Sequence, residues 1–192
     1  MDTQSDIYSI DKVLAGDRNA YAMLVDKYKG MVYTIALKIL RNNEEAEETA
    51  QDAFIKAYQS LSKFKRESKF STWLYRIVYN AAISKTRKKV LQKVDLNNEI
   101  IDNYTTDEIK SNLFILEEGD KKKLVKKIMS NLNPEESALI TLYYYDDKTT
   151  EEIADIMGLS QSNVKVRLFR IRNKMNYELQ QYLLDDVKEV LR

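Results

Sequence analysis

Apolar residues recur at three- and four-residue intervals along most of the chain, a period that admits amphipathic helices and little else. From Arg18 to Arg41, the positions Tyr21, Leu24, Val25, Tyr28, Val32, Ile35, Ala36, Ile39 and Leu40 share one helix face. Asp17 is placed to cap its start, and Asn42 and Asn43 break the pattern. A second helix, from about Asn43 to Leu61, repeats the spacing through Ala46, Ala50, Ala53, Phe54, Ala57 and Leu61. A third, capped by Ser71 and running to about Lys89, turns Leu74, Ile77, Val78 and Ala81 inward. A short helix is also expected over Ile7 to Leu14. One Pro and four Gly in 192 residues are too few for a turn-rich β-sandwich or barrel. The expected fold class is all-α.

The pattern lapses between Val90 and Gly119. Asp95-Leu96-Asn97-Asn98-Glu99 and Asp102 to Asp107 are polar and rich in turn formers, so 91–119 reads as an acidic linker. It divides an N-terminal helical bundle, 1–90, from a C-terminal helical domain, 120–192. The second domain opens with a helix from about Asp120 to Asn131. Asn133-Pro134-Glu135-Glu136 then supplies a cap, a first-turn proline and a third-position Glu for a helix that turns Ala138, Leu139, Leu142 and Tyr143 inward and ends near Asp146-Asp147. Thr149 to Glu152 forms another capping box, before Ile153, Ala154, Ile156 and Met157. Gly158-Leu159-Ser160 stops that helix and starts the next, with Val164, Leu168, Ile171 and Met175 inward.

Two helices meeting across a Gly-containing three-residue turn fit a helix-turn-helix. The outer face of the second shows Ser162, Lys165, Val166, Phe169, Arg170 and Arg172. Cations serve phosphates and guanine edges, and apolar atoms serve thymine methyls, so this face suits a major groove. A helical hairpin with a merely basic surface is the alternative.

Net charge is +1, yet the charges are segregated. Residues 63–89 hold nine bases against the single acid Glu67, interleaved with Phe64, Phe70, Trp73, Tyr75 and Tyr79. Bases track a phosphate backbone and exposed rings stack unpaired bases, so the segment points to opening or single-stranded DNA. For any one ring, a place in the core accounts equally well. Residues 42–54 hold Glu44, Glu45, Glu47, Glu48 and Asp52 with no base, which makes an acidic helix face for some other partner.

The chain has no Cys and no His. That removes disulfides, thiolate nucleophiles, the usual zinc and haem ligands and the commonest proton-transfer group. No enzymatic activity and no cofactor are expected. Glu44, Glu47 and Glu48 lack the Glu-x-x-His partners of di-iron bundles, so they read as a solvated or partner-facing surface. The N-terminal residues are polar and acidic, and no run approaches about 18 unbroken apolar residues, so a cytoplasmic protein without membrane insertion is expected.

Three segments together resemble a known family. The run from Leu61 to Asn80, Leu-Ser-Lys-Phe-Lys-Arg-Glu-Ser-Lys-Phe-Ser-Thr-Trp-Leu-Tyr-Arg-Ile-Val-Tyr-Asn, resembles the promoter-opening segment of extracytoplasmic-function sigma factors. Ala46 to Tyr58 is similar to their polymerase-binding helix, and Thr150 to Ala154 with Val164 to Arg170 is similar to their helix-turn-helix. The order matches, and the likeness covers nearly the whole chain. It implies that Glu48, Gln51, Asp52, Phe54, Ile55 and Tyr58 dock on the clamp helices of the core RNA polymerase. It implies that Lys63, Phe64, Lys65, Arg66, Lys69, Phe70, Trp73, Arg76, Asn80, Lys85, Arg87 and Lys88 engage the promoter's −10 element. A flipped base would sit near Phe64, Arg66 and Asn80. The −35 element would be read as duplex by Ser160, Ser162, Asn163, Lys165, Val166, Arg167, Phe169, Arg170 and Arg172, with that domain resting on the polymerase flap. The linker would thread the RNA exit channel, and an anti-sigma factor would cover these same surfaces.

The chain departs from the family where Arg66 or Lys69 replaces a commonly small residue, and where Val166 replaces a frequent Ser or Thr. Promoter preference therefore does not carry over. A ligand-sensing transcriptional regulator is a rival reading, but it leaves the basic strip 63–89 without a purpose. A protein-only helical adaptor is another, and it predicts no salt-sensitive DNA affinity.

Overall fold

The structure, a computed structural model, describes residues 3–90 and 118–190, with side chains over 4–88 and 123–182. These described residues are helical and contain no strand. Four helices form the N-terminal half: α1 (Thr3–Leu14), α2 (Arg18–Leu40), α3 (Asn43–Ser60) and α4 (Phe70–Val90), with a 3₁₀ turn at Leu61–Lys63. The C-terminal half holds α5 (Glu118–Asn131), α6 (Pro134–Ile140), α7 (Thr150–Met157) and α8 (Gln161–Val190). The expected linker, 91–119, lies almost wholly outside the described residues.

Local chemistry sets most helix ends. The Asp17 carboxylate accepts from the Asn19 N–H at 3.0 Å, and Asn42 accepts from the Glu45 N–H at 2.9 Å. Both capping boxes close reciprocally, Asn133 with Glu136 at 2.9 Å and Thr149 with Glu152 at 3.1 Å. Gly158, at φ +68°, ends α7 in the left-handed region, where a side chain would be strained. The Ser160 hydroxyl then accepts from the Asn163 N–H at 3.2 Å to start α8.

Two expected boundaries differ. Helix α4 begins at Phe70, one residue before its expected cap; Ser71 and Thr72 are buried and the Trp73 N–H bonds the Lys69 carbonyl at 3.2 Å. Phe70 packs on Tyr28 with ring centroids 5.6 Å apart, so tertiary packing rather than a hydroxyl cap pins this turn. Further along α4, Ala82 and Ile83 are buried and Ala81 only partly so. Helix α6 ends at Ile140, and Thr141–Tyr145 forms one π turn instead of continuing as α-helix to Asp146. The Thr141 hydroxyl donates back to the Ser137 carbonyl at 2.8 Å, the kind of side-chain bond that bends a helix.

The core begins with Tyr28, Val32, Ile35 and Ala36 on α2, all fully buried. The small side chains of Ala46, Ala50, Ala53 and Ala57 let α3 lie close to it, and Leu74, Val78 and Ala82 of α4 complete the bundle. The same apolar cluster continues into Leu139, Leu142, Ile153, Ile156, Val164 and Leu168, so the two halves share one core. Helix α2 meets α6, and α4 meets α7. The Ser137 hydroxyl donates to the Lys38 carbonyl at 3.0 Å. Arg41, itself in the left-handed region at φ +55°, donates to the carbonyls of Met129 (3.0 Å), Leu132 (2.5 Å) and Ser130. One guanidinium thus closes the carbonyl-rich end of α5 from the other half of the molecule.

Candidate nucleic-acid interface and docking helix

Helix α3 turns its alanines inward and leaves an outer face of Glu47, Glu48, Gln51, Asp52, Ile55 and Tyr58. Ile55 is 55% and Tyr58 43% exposed, large for apolar groups with no core role. Phe54 is half-buried beneath them. Its carbonyl accepts from the Tyr21 hydroxyl at 2.5 Å, and the Tyr21 and Tyr58 rings meet edge-on at 4.9 Å. Burial pushes the Tyr21 hydroxyl up to about 12, so it stays a donor across the physiological range. Glu48 is paired with Lys85 of α4, which fixes one end of the acidic face against the bundle. Carboxylates beside exposed apolar groups suit a partner that is itself basic and apolar.

Beyond α3, buried Leu61 anchors the 3₁₀ turn that leads into the loop 64–69. The rings of Phe64, Phe70 and Trp73 contact one another at centroid distances of 5.2–5.8 Å. Phe70 lies at the inner corner and is 2% exposed, so it belongs to the core and is unavailable to a base. Tyr75 and Tyr79 are likewise buried, and burial, with Glu135 nearby, pushes Tyr79 up to about 12. Phe64 and Trp73 stay half-buried and, with Lys63, Arg66, Thr72 and Arg76, line a cavity of about 480 Å³. Lys65, Glu67 and Ser68 complete the rim on the loop side. A half-buried ring face beside the exposed cations Lys63, Lys65 and Arg76 can take an unpaired base with its phosphates.

Arg66 enters that loop in the left-handed region, φ +61°, and its guanidinium pairs with Asp11 of α1. Asn80 is exposed on α4 but does not line the cavity; it lies two turns beyond Trp73, about 10 Å along the axis. Further along α4, Lys85 is tied to Glu48, Arg87 reaches Glu135 at 3.1 Å, and Lys88 is exposed. Lys69 pairs with Glu152 of α7 at 2.9 Å.

In the C-terminal half, Val164, Leu168 and Ile171 bury the inner face of α8. Ser162, Asn163, Lys165, Val166, Phe169 and Arg170 are exposed, and Ser160 stands exposed at the turn before them. Phe169 is 51% and Val166 48% exposed. Arg167 is partly drawn inward: it donates to Asn163 at 3.2 Å and to Glu135 at 2.9 Å. Arg172 turns toward its own domain, over the Tyr143 and Tyr144 rings and donating to the Tyr144 hydroxyl at 2.7 Å. The exposed face of α8 and its preceding turn therefore runs from Ser160 to Arg170.

Sequence reasoning missed Asp11, which holds Arg66, and the acidic edge Glu135, Glu152 and Asp155 that meets the basic strip. Burial pushes the Glu135 carboxyl up, but hydrogen bonds from Arg167 and Arg87 outweigh it and hold the group below its ordinary value. Glu152 is held down in the same way against burial, first by Lys69 and then by the Thr149 N–H. Among the described residues, no helix is long and apolar enough to cross a membrane.

Comparison with known proteins gives a consistent picture. Residues 24–91 match the profile of Sigma-70 region 2, and residues 122–175 match Sigma-70 region 4. The chain is 32% identical over 178 residues to the ECF RNA polymerase sigma factor SigW of Bacillus subtilis, covering 88% of this chain and 94% of that one. It is 30% identical over 181 residues to the ECF RNA polymerase sigma-E factor of Escherichia coli, covering 89% and 92%. Among solved structures, CnrH in complex with the cytosolic domain of CnrY aligns with a TM-score of 0.59 at 20% identity, covering 92% of this chain and 98% of that chain. The sigma factor RpoE of Bartonella quintana, solved with the anti-sigma factor NepR, aligns with the same TM-score at 22% identity, covering 83% and 96%. Similar to these relatives over nearly its full length, with regions 2 and 4 in order, the chain belongs to the ECF family of RNA polymerase sigma factors.

Proposed function

We propose that this protein directs RNA polymerase to a set of promoters and helps open them, with no catalytic chemistry of its own. In this reading 1–90 is region 2, which binds the polymerase core and engages the −10 element; 91–119 is the linker; and 120–192 is region 4, which reads the −35 element. The observation that carries it is two separate cationic faces, α4 with its loop and α8, together with an acidic, partly apolar α3 in one chain.

The energetics favour a helper over a stand-alone opener. A base-pair step costs on average about 1.4 kcal/mol to open, and flipping a base costs a few more. One stacked ring returns roughly 1–3 kcal/mol. Phe64 and Trp73, both half-buried, cannot melt a promoter by themselves, so the outer face of α3 must bring in the polymerase's own contacts. An anti-sigma factor that covers these faces is the expected negative partner; the similar RpoE of Bartonella quintana is found in complex with the anti-sigma factor NepR.

The test is run-off transcription with purified chain and core polymerase on a library of upstream regions. Initiation at defined sites is expected. No initiation with a core preparation that is active with another factor would refute the reading.

A further inference from the structure

The unused feature of the molecule is the seam where α7 and the start of α6 lie against the basic strip. Glu152 pairs with Lys69 at 2.9 Å, and Asp155 shares the cavity formed by Phe64, Trp73 and Arg76. Glu135 takes Arg87 of α4 at 3.1 Å and Arg167 of α8 at 2.9 Å, one cation from each cationic face. On the other side, a second cavity of about 470 Å³ brings Glu151, Glu152 and Asp155 against the 66–70 loop. Glu135 and Glu152 thus occupy cations of the strip, and Asp155 shares the cavity with the rings that would receive a base. Apart from Arg167, the outer face of α8 from Ser162 to Arg170 stays open.

We propose that in the unbound chain this acidic edge acts as an internal stand-in for nucleic acid, holding the halves together and masking the strip 63–76 while leaving the duplex-reading face of α8, Arg167 apart, free. The inference rests on the proposed function, because it takes that strip as a nucleic-acid surface. Each ion pair is partly wet and weak alone. A nucleic-acid strand presents a denser row of anions, and its binding is favoured further by counterion release, so it displaces the carboxylates. Apparent affinity for the strip is reduced by the fraction of molecules that are open. A sigma factor built this way holds stray single strands more weakly than an unmasked strip would.

The chain has no native cysteine, so Ala22→Cys and Gln181→Cys, both at exposed positions in opposite halves, place two nitroxides for pulsed dipolar distance measurement in the full chain. One short, narrow distance is expected for the starting protein. Glu135→Lys with Glu152→Lys should lengthen and broaden it, and adding Lys69→Glu should recover part of the closed population. A 20-nucleotide thymine-rich strand should open the starting protein, and Glu135→Gln with Glu152→Gln, already largely open without it, should bind that strand up to roughly tenfold more tightly by fluorescence anisotropy, the limit set by a one-in-ten open fraction. If the charge reversals leave the distance unchanged while circular dichroism shows an intact fold, the mask is overturned and the proposed function stands. If they open the chain but no strand opens the starting protein, the strip is not a nucleic-acid surface, and that failure falls on the proposed function.

Discussion

The buried carboxylate of Asp6 offers the sharpest quantitative test of how the N-terminal helix is held. Asp6 is 3% exposed and Tyr28 fully buried, and the Tyr28 hydroxyl donates to Asp6 at 2.5 Å while Lys27 donates to the other carboxylate oxygen at 2.5 Å. Burial, reinforced by this bond, pushes the Tyr28 hydroxyl far above its ordinary range, so it remains a donor throughout. Asp6→Ala strips a buried hydroxyl of its acceptor, which costs about 1–3 kcal/mol. The Lys27 end is wetter and adds little. The expected total is about 2 kcal/mol, or roughly 4–8 °C in Tm for a chain of this length. Asp6→Asn keeps an acceptor and should cost about half as much. Tyr28→Phe removes the donor, so Asp6→Ala in that background should cost at least about 1 kcal/mol less than alone. Urea denaturation of the four proteins closes the cycle. Equal costs of Asp6→Ala in both backgrounds, or a cost below about 0.5 kcal/mol, would refute the argument. The same helix carries Asp11, so its loosening should also free Arg66 at the mouth of the base-sized cavity.

Three further outcomes are expected. Asp52→Lys, on the exposed face of α3, should abolish capture by immobilised core polymerase while leaving the full chain's affinity for duplex DNA at least as high; equal loss of both would contradict separate surfaces. Phe169→Ala should change stability by less than about 0.5 kcal/mol yet weaken binding to a promoter duplex, whereas Leu168→Ala, one residue away and 3% exposed, should cost about 2–5 kcal/mol. Glu135 and Glu152 have folded values below their ordinary 4.5, so their stabilisation is present above that pH and is lost as pH falls through the lowered values. Asp146, pushed up mainly by burial, acts with the opposite sign. Acid titration of unfolding free energy should therefore be flatter in Glu135→Gln with Glu152→Gln than in the starting protein, and a parallel slope would exclude these pairs as its source.

What the sequence disclosed was what neighbours in the chain decide. Asp17, Asn133, Thr149 and Gly158 act on backbone groups within a few residues, so the helix ends they set could be read directly. The inward face of α8 followed from a three-and-four spacing that the packing keeps. The π turn at Thr141–Tyr145 was not legible, because it answers to packing and to a hydroxyl bond that the α-helical period does not encode. Phe70 looked like a base platform because aromatic residues beside cations have the same pattern whether they face solvent or Tyr28. Asn80 was grouped with a cavity whose nearest lining residue on the same helix, Arg76, is about one turn away, since a likeness in sequence carries no distance. The pairing of Arg66 with Asp11, and of the strip with Glu135 and Glu152, joins residues 48 to 83 apart or brings α1 onto the loop, which only the tertiary fold can reveal.

Trp73 is the chain's sole indole, and it leans on Phe64 at 5.2 Å at the edge of the cavity beside Arg66 and Arg76. Its ultraviolet emission therefore comes from one place, with no second fluorophore of its kind to dilute the signal. A nucleobase sliding onto that ring would quench it, and withdrawal of Asp155 would admit solvent and shift it to longer wavelength. The molecule carries a built-in optical gauge of strand capture, one that needs no label and can be followed on the timescale of initiation.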